Sequence, residues 1–352
     1  VRDFMLIDES RPGVLAAQAD QPRKLLVRVW YPAASVDGLT PRPYFTEGEA
    51  DTTATGLGML VGAPFYFTYV KHVGTNSFGN APLLASDQSL PVVFYSHGYT
   101  SFASQNTVLM EELASHGYIV YSIQHTFDSS PTLFPDGSVA GMDPELIFQL
   151  QEEGPEEEAS KVEASKVEDD DQATAAFTGE SYAARLEGHL FNQQKFVADG
   201  HRIATRSTKI WLADRLFVHH ALAAGAVPES VLAIVQAGDL ERTGQMGMSF
   251  GGSTAGAICM IDARCAAGIN LDGSDFHLQP WMANMPVPFL MFYSDYAEMY
   301  ELVSGEPVDE AHGFNDFSYE RPELAGLRDD VVRLTVLDIA HLGVSDFNLF
   351  MR

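Results

Sequence analysis

The sequence predicts an α/β protein with a mostly parallel central sheet of about eight strands, helices on both faces and an inserted cap or lid. Three observations carry that prediction. Apolar and β-branched runs bounded by turn residues alternate with helical patterns, as a sheet covered on both faces requires. One strand-like run ends in GMSFGG and opens into a stretch of small residues. The strand and helix rhythm breaks once, for roughly 80 residues, where connections usually take 2 to 6.

Residues 25–31 (LLVRVWY) alternate like an early, half-exposed strand. Residues 91–96 (PVVFYS) and 118–123 (YIVYSI) read as buried strands, and the helical stretch 106–115 between them makes a βαβ unit. Residues 208–224 have apolar positions at helical spacing, and 243–248 lead into a turn and a small-residue helix. Residues 267–271, 289–293 and 332–337 complete the strand series. The expected core is therefore 1–125 plus 208–352, with residues 126–207 inserted. Inside the insertion, residues 152–171 hold ten acids and two lysines and include the tandem repeat EASKVEASKVE. A five-residue period fits no coiled coil, and there is no DxDxDG loop for calcium, so the segment reads as a solvated arm.

The chain has 352 residues and a formal net charge of −27, with only six lysines among its 21 cations. So acidic a surface repels phosphate backbones and excludes nucleic acid as a partner. No apolar run approaches the roughly 20 residues of a spanning helix. Residues 56–70 (GLGMLVGAPFYFTYV) are rich but short and broken, and read as a pocket wall or a docking surface. The first residue is Val1, without the pattern of a leader, and the low lysine content suits a salty or exported setting, so export is the weak expectation. Cys259 and Cys265 supply neither a disulfide framework nor a zinc-ligand spacing and are expected to be buried thiols.

Chemistry concentrates at Gly247-Met248-Ser249-Phe250-Gly251, a GxSxG between a strand and a helix. In that setting the serine occupies a strained turn, flanking glycines admit close backbone, and the helix N-terminus offers amides to an oxyanion. A serine hydroxyl needs a base, and three histidines follow it: His277, His312 and His341. His341, just past the last strong strand, is best placed; His312 reads as an exposed loop residue and His277 as a pocket or surface group. Two carboxylates follow strands, Asp272 in INLDGS and Asp295 in FYSDYAE. Spacing does not decide between them, although Asp295 holds the more usual position for this chain order. Ser96-His97-Gly98-Tyr99 fills the place of the second oxyanion loop, so the amides of Tyr99 and Phe250 are the expected pair. His97 is read as structural in that loop, and His125 as a loop or cap-base residue. No metal or cofactor site is expected.

With these pieces placed, the chain resembles the plasma-type platelet-activating factor acetylhydrolases and their bacterial relatives, within the α/β-hydrolase superfamily. The resemblance rests on VRVWYPA (27–33), PVVFYSHGY (91–99), LASHGYIVYSIQH (113–125), GMSFGGST (247–254) and INLDG (269–273). It implies the α/β-hydrolase fold, takes the acid as Asp272 with Asp295 second, and maps the oxyanion pair onto Tyr99 and Phe250 and the histidine onto His341. The chain departs from the family in GMS for GHS, in the acidic insertion, and in ending eleven residues after His341, where such hydrolases continue into a further helix.

The expected activity is hydrolysis of short-chain acyl esters through an acyl-enzyme on Ser249, His341 and Asp272. Phospholipids with a short sn-2 acyl group, simple esters and polyesters are the substrate classes, with transient contact to a lipid or polymer surface through residues 56–70. Phe65, Phe67, Phe127 and Trp281, with Phe134, are candidates for an apolar acyl cleft. The alternatives are an amidase or lactone hydrolase on the same triad and a catalytically silent binding module.

Overall fold

The structure is a computed structural model, and it describes residues 1–13, 20–147, 181–274, 276–277, 283–295 and 328–350. Eight strands form the central sheet: β1 (Arg2–Pro12), β2 (Pro22–Trp30), β3 (Leu90–Ser96), β4 (Ile119–Gln124), β5 (Gly238–Met248), β6 (Cys265–Leu271), β7 (Phe289–Tyr293) and β8 (Val331–Thr335). Their spatial order is β1-β2-β4-β3-β5-β6-β7-β8. From β4 through β8 every neighbouring pair is parallel, whereas β1–β2 and β2–β4 are antiparallel. This is the α/β-hydrolase fold. Parallel neighbours need crossovers, which the helices α1 (Thr107–Ser115), α2 (Tyr182–Ala198), α3 (Thr208–Ala223), α4 (Glu229–Ala237) and α5 (Phe250–Ile261) help to supply.

Two elements escape the pattern reading. β1 carries Asp3, Asp8, Glu9 and Ser10 among its apolar positions, so its alternation is weak in the sequence. Because β1 lies outside β2, residues 25–30 are not half-exposed; all six are buried. The helix α4 follows α3 so closely that its apolar face, with Val231, Ile234 and Val235 buried, looks like a continuation. One core cluster joins those residues to Val27, Val92, Phe94, Ile119 and Tyr121, and a second, around Tyr95, Met110, Met246 and Met248, fills the other face.

Of the expected insertion, residues 126–147 and 181–207 are described, and the acidic segment 152–171 lies outside the described residues. Its leading part is not detached from the core: Phe127, Phe134 and Ala140 pack with Leu26 of β2. At its far end α2 starts at Ser181, whose side chain accepts the Ala184 N–H. Among the described residues no helix is long and apolar enough to cross a membrane.

Buried charge ties the layers together. Asp214 of α3 accepts from both Arg23 Nε and Arg23 Nη2 at 2.6 Å and from Arg11 at 2.9 Å, joining β1, β2 and α3 through one carboxylate. Arg28 pairs with Asp3 and with Glu49.

The cysteines overturn the free-thiol expectation. Cys259 near the end of α5 and Cys265 at the start of β6 lie 5.1 Å apart between Cα atoms and are joined by a disulfide. Six residues suffice to turn the chain back from helix to strand, so a spacing too short to suggest a framework still brings the two sulfurs together. Alkylation followed by mass spectrometry should therefore find neither cysteine modified in denatured, unreduced protein and both modified after reduction; labelling before reduction contradicts the bond.

Candidate active site

The site is assembled where strands end at the carboxyl edge of the sheet. Ser249 stands between β5 and α5 with φ 54° and ψ −124°, a conformation that L residues rarely adopt. Its own N–H is held by the Leu271 carbonyl at 2.8 Å, which locks the elbow to β6. The flanking glycines are required by contact. A Cβ on Gly247 would lie 2.1 Å from the Gly251 carbonyl oxygen, and one on Gly251 2.0 Å from that of Ser96. Four further non-glycine residues at the same edge have positive φ: Thr100 (63°), Phe127 (76°), Asp272 (57°) and Asp338 (58°). Backbone strain of this kind concentrates at functional sites.

The structure brings together Ser249, His341 and Asp272. His341 Nε2 lies 3.0 Å from Ser249 Oγ, and His341 Nδ1 lies 2.6 Å from Asp272 Oδ2. A carboxylate can only accept, so Nδ1 carries the proton and Nε2 faces the hydroxyl as an acceptor. Asp272 is buried, whereas the His341 side chain is 38% exposed, so the imidazole is reachable from solvent while its partner is not. Two residues that sequence reasoning missed hold Asp272. Ser294, at the end of β7, donates its N–H to Oδ1 at 2.7 Å and its hydroxyl to Oδ2 at 2.6 Å. Asn270 closes the turn beyond Asp272 by accepting from the Gly273 N–H at 2.7 Å and donating to the Gly273 carbonyl at 2.9 Å. Asp295 has a different job: its carboxylate accepts the Asp338 N–H at 3.1 Å, in the loop that leads to His341. The serine of FYSDYAE thus turns to Asp272, while its aspartate reaches the Asp338 N–H.

Tyr99 and Phe250 flank the elbow, their rings 5.4 Å apart, and among the described residues neither amide N–H has an acceptor. Phe250 opens α5, where the first amides have no intrahelical partner. The Tyr99 hydroxyl is held by Arg202 Nε at 3.2 Å and Ser207 Oγ at 3.1 Å, from the far end of the expected insertion. His97 is fully buried and bonds the loop backbone, as a structural residue should. His125 lies in the loop after β4, as expected, yet it is fully buried and stacks on Trp211 at 3.8 Å. His277 is not at the surface either; it is buried, with Nδ1 2.9 Å from Ser253 Oγ in the first turns of α5.

Among the described residues, the acyl-cleft candidates Phe65, Phe67 and Phe127 do not line a common wall. Phe67 belongs to a core cluster with Phe347 and Phe350, Phe127 packs under Leu26 with Phe134, and Phe65 is 77% exposed. Trp281 and His312 lie outside the described residues. The aromatic residues near the elbow are instead Trp211 and Phe276, 4.6 and 5.7 Å from the Phe250 ring. Among the described residues no cluster of three His, Cys, Asp or Glu side chains could hold a metal ion.

Residues 15–174 match the family described as platelet-activating factor acetylhydrolase, isoform II, a span that ends before the elbow. No curated protein matches the chain. A ferulic acid esterase from Streptomyces cinnamoneus superposes with a TM-score of 0.54 at 22% identity, covering 87% of this chain and 70% of its own. A dienelactone hydrolase-like promiscuous phosphotriesterase from metagenomic libraries is 12% identical, covering 73% of each chain with a TM-score of 0.36. The first likeness is one of fold.

Four buried histidines are kept neutral by burial: His97 titrates at about 3, His219 and His277 at about 4, and His125 below its ordinary value. Below about pH 6.5 the unfolded chain takes up protons that the folded one refuses, each group costing up to about 1.4 kcal/mol per pH unit. Asp346, raised by burial to about 6, acts in the opposite sense and offsets part of one histidine between its two titrations. Melting temperature should therefore fall most steeply between about pH 6.5 and pH 5, with a shallower fall in His219→Gln; a flat profile contradicts the neutral-histidine account.

Proposed function

We propose that the protein is a serine carboxylic-ester hydrolase acting on short-chain acyl esters. The observation that carries the reading is the continuous line from Ser249 Oγ through His341 to Asp272, at 3.0 and 2.6 Å, on a strained elbow at the head of a helix. An ester hydrolase also agrees with the acetylhydrolase family matched by residues 15–174.

In this reading Ser249 Oγ attacks the ester carbonyl carbon and its proton passes to His341 Nε2. Asp272 keeps the imidazole in the tautomer that can accept and stabilises the imidazolium without taking the proton. The Tyr99 and Phe250 amides receive the oxyanion. Collapse breaks the bond to the alcohol, which leaves with the proton from His341, and water repeats the sequence to release the acid and free Ser249. At the far end of the expected insertion, Arg202 and Ser207 hold the Tyr99 hydroxyl and so steady that loop. A phospholipid with a short sn-2 acyl group, a simple ester or a polyester fits the proposal. Exposed Met59, Val61, Phe65 and Tyr66 supply a face for transient contact with a lipid or polymer surface.

Turnover of p-nitrophenyl esters from acetate to palmitate tests the assignment. Activity should peak at short chains, fall on the order of 10⁴-fold in Ser249→Ala and about as far in Asp272→Asn, and stay within about tenfold in Asp295→Asn. Folded wild type that cleaves none of the series removes the esterase reading, and loss confined to Asp295→Asn moves the acid one strand on.

A further inference from the structure

Behind the Tyr99 amide runs a chain of buried polar groups that the triad does not use. His97 Nδ1 is 2.7 Å from the Gly98 carbonyl oxygen, and His97 Nε2 is 3.1 Å from the backbone nitrogen of His125. His125 Nδ1 is 3.0 Å from Asp214 Oδ2, and His125 Nε2 is 3.0 Å from Ser96 Oγ. Ser96, His97, His125 and Asp214 are all buried. Their arrangement copies a serine–histidine–aspartate triad, yet the serine has no access to a substrate.

The proton positions follow from what each partner can do. A carbonyl oxygen only accepts, so His97 Nδ1 donates; a backbone N–H only donates, so His97 Nε2 accepts. The Asp214 carboxylate accepts from His125 Nδ1, which leaves His125 Nε2 to accept the Ser96 hydroxyl proton. Both imidazoles are thereby fixed in one tautomer, and both rings are clamped by Trp211, 5.0 Å from His97 and 3.8 Å from His125. The Gly98 carbonyl that His97 holds belongs to the same peptide unit as the Tyr99 N–H. In a trans peptide these two groups point in opposite directions, so fixing the oxygen inward aims the N–H outward, toward the elbow. The Ser101 N–H, at 3.0 Å, is a second donor to that oxygen, and Gln105 Oε1 accepts the Gly98 N–H at 2.7 Å.

Resting on the esterase reading, we propose that Asp214, His125 and His97 form a positioning relay that orients the Gly98–Tyr99 peptide as an oxyanion donor. None of the three touches substrate; His97 acts on the peptide, His125 on His97, and Asp214 on His125. Packing alone would not need the donor on Nδ1 of His97. The relay does, because a hydrogen-bond acceptor facing the Gly98 oxygen would repel it and favour the flipped peptide.

Two variants separate these roles, because an asparagine amide nitrogen falls near Nδ1 of the histidine it replaces and a glutamine amide near Nε2. With p-nitrophenyl acetate, His97→Gln should lower kcat by about tenfold or more, within the range of a lost oxyanion donor, and leave KM within about threefold. His97→Asn should recover most of kcat. Equal losses in both variants, a change carried by KM, or wild-type kcat in both would overturn the relay while leaving Ser249-dependent esterase activity intact. No ester turnover by wild type would overturn the esterase reading and the relay with it. Should either variant fail to fold, long-range proton–nitrogen correlation spectra of histidine-labelled wild type decide the matter. The relay requires both His97 and His125 to be protonated on Nδ1 at neutral pH, and the other tautomer on either ring contradicts it.

Discussion

The reversal of the chain at Ser249 is the constraint on which the rest depends. A backbone held at φ 54° pushes the hydroxyl out above the sheet only if neighbouring backbone closes in on every side. The carbonyls of Ser96 and His97 lie where a Gly251 Cβ would go, and the Leu271 carbonyl takes the Ser249 N–H. Three strands, β3, β5 and β6, are thereby pinned at their ends to one residue. The loop of the candidate oxyanion donor, the elbow and the turn of the buried acid cannot move independently.

Charge is distributed in two regimes. A chain with net charge −27 repels anionic molecules at long range, by an effect that falls with added salt. Inside, ion pairs do a different task. Asp214 with Arg11, Arg23 and His125 joins β1, β2, α3 and the loop after β4, and such buried pairs are costly to break because the survivor is left unpaired. A carboxylate that anchors the antiparallel end of the sheet thus also reaches the loop beside the elbow. Fold and site share one electrostatic anchor.

Much of this was legible in the sequence, and the parts that were not share a cause. Most of the parallel strands from residue 91 onward have apolar runs, although β5 opens in the polar GDLER, and GMSFGG sits in a context that a strand–turn–helix satisfies, so the sheet and the turn at Ser249 could be read directly. His341 followed from chain order. Asp272 and Asp295 could not be separated by spacing, because both end strands; what separates them is Ser294, whose hydroxyl and N–H both turn to Asp272 across the sheet. β1 was missed since its charged residues blur its period, and the disulfide since two cysteines six residues apart supply no framework, even where a helix is expected to end and a strand to begin between them. Phe67 and Phe127 have core to fill, and composition does not distinguish a core from a cleft.

A Ser249 nucleophile activated by His341 reacts with electrophiles only while the fold holds the two together. The most direct measurement is labelling of the native protein with a fluorophosphonate probe, followed by peptide mapping. The expected result is one label per chain, on Ser249, abolished by prior unfolding and greatly slowed in His341→Ala. Absence of label from folded protein, or a label on any other serine, would contradict it.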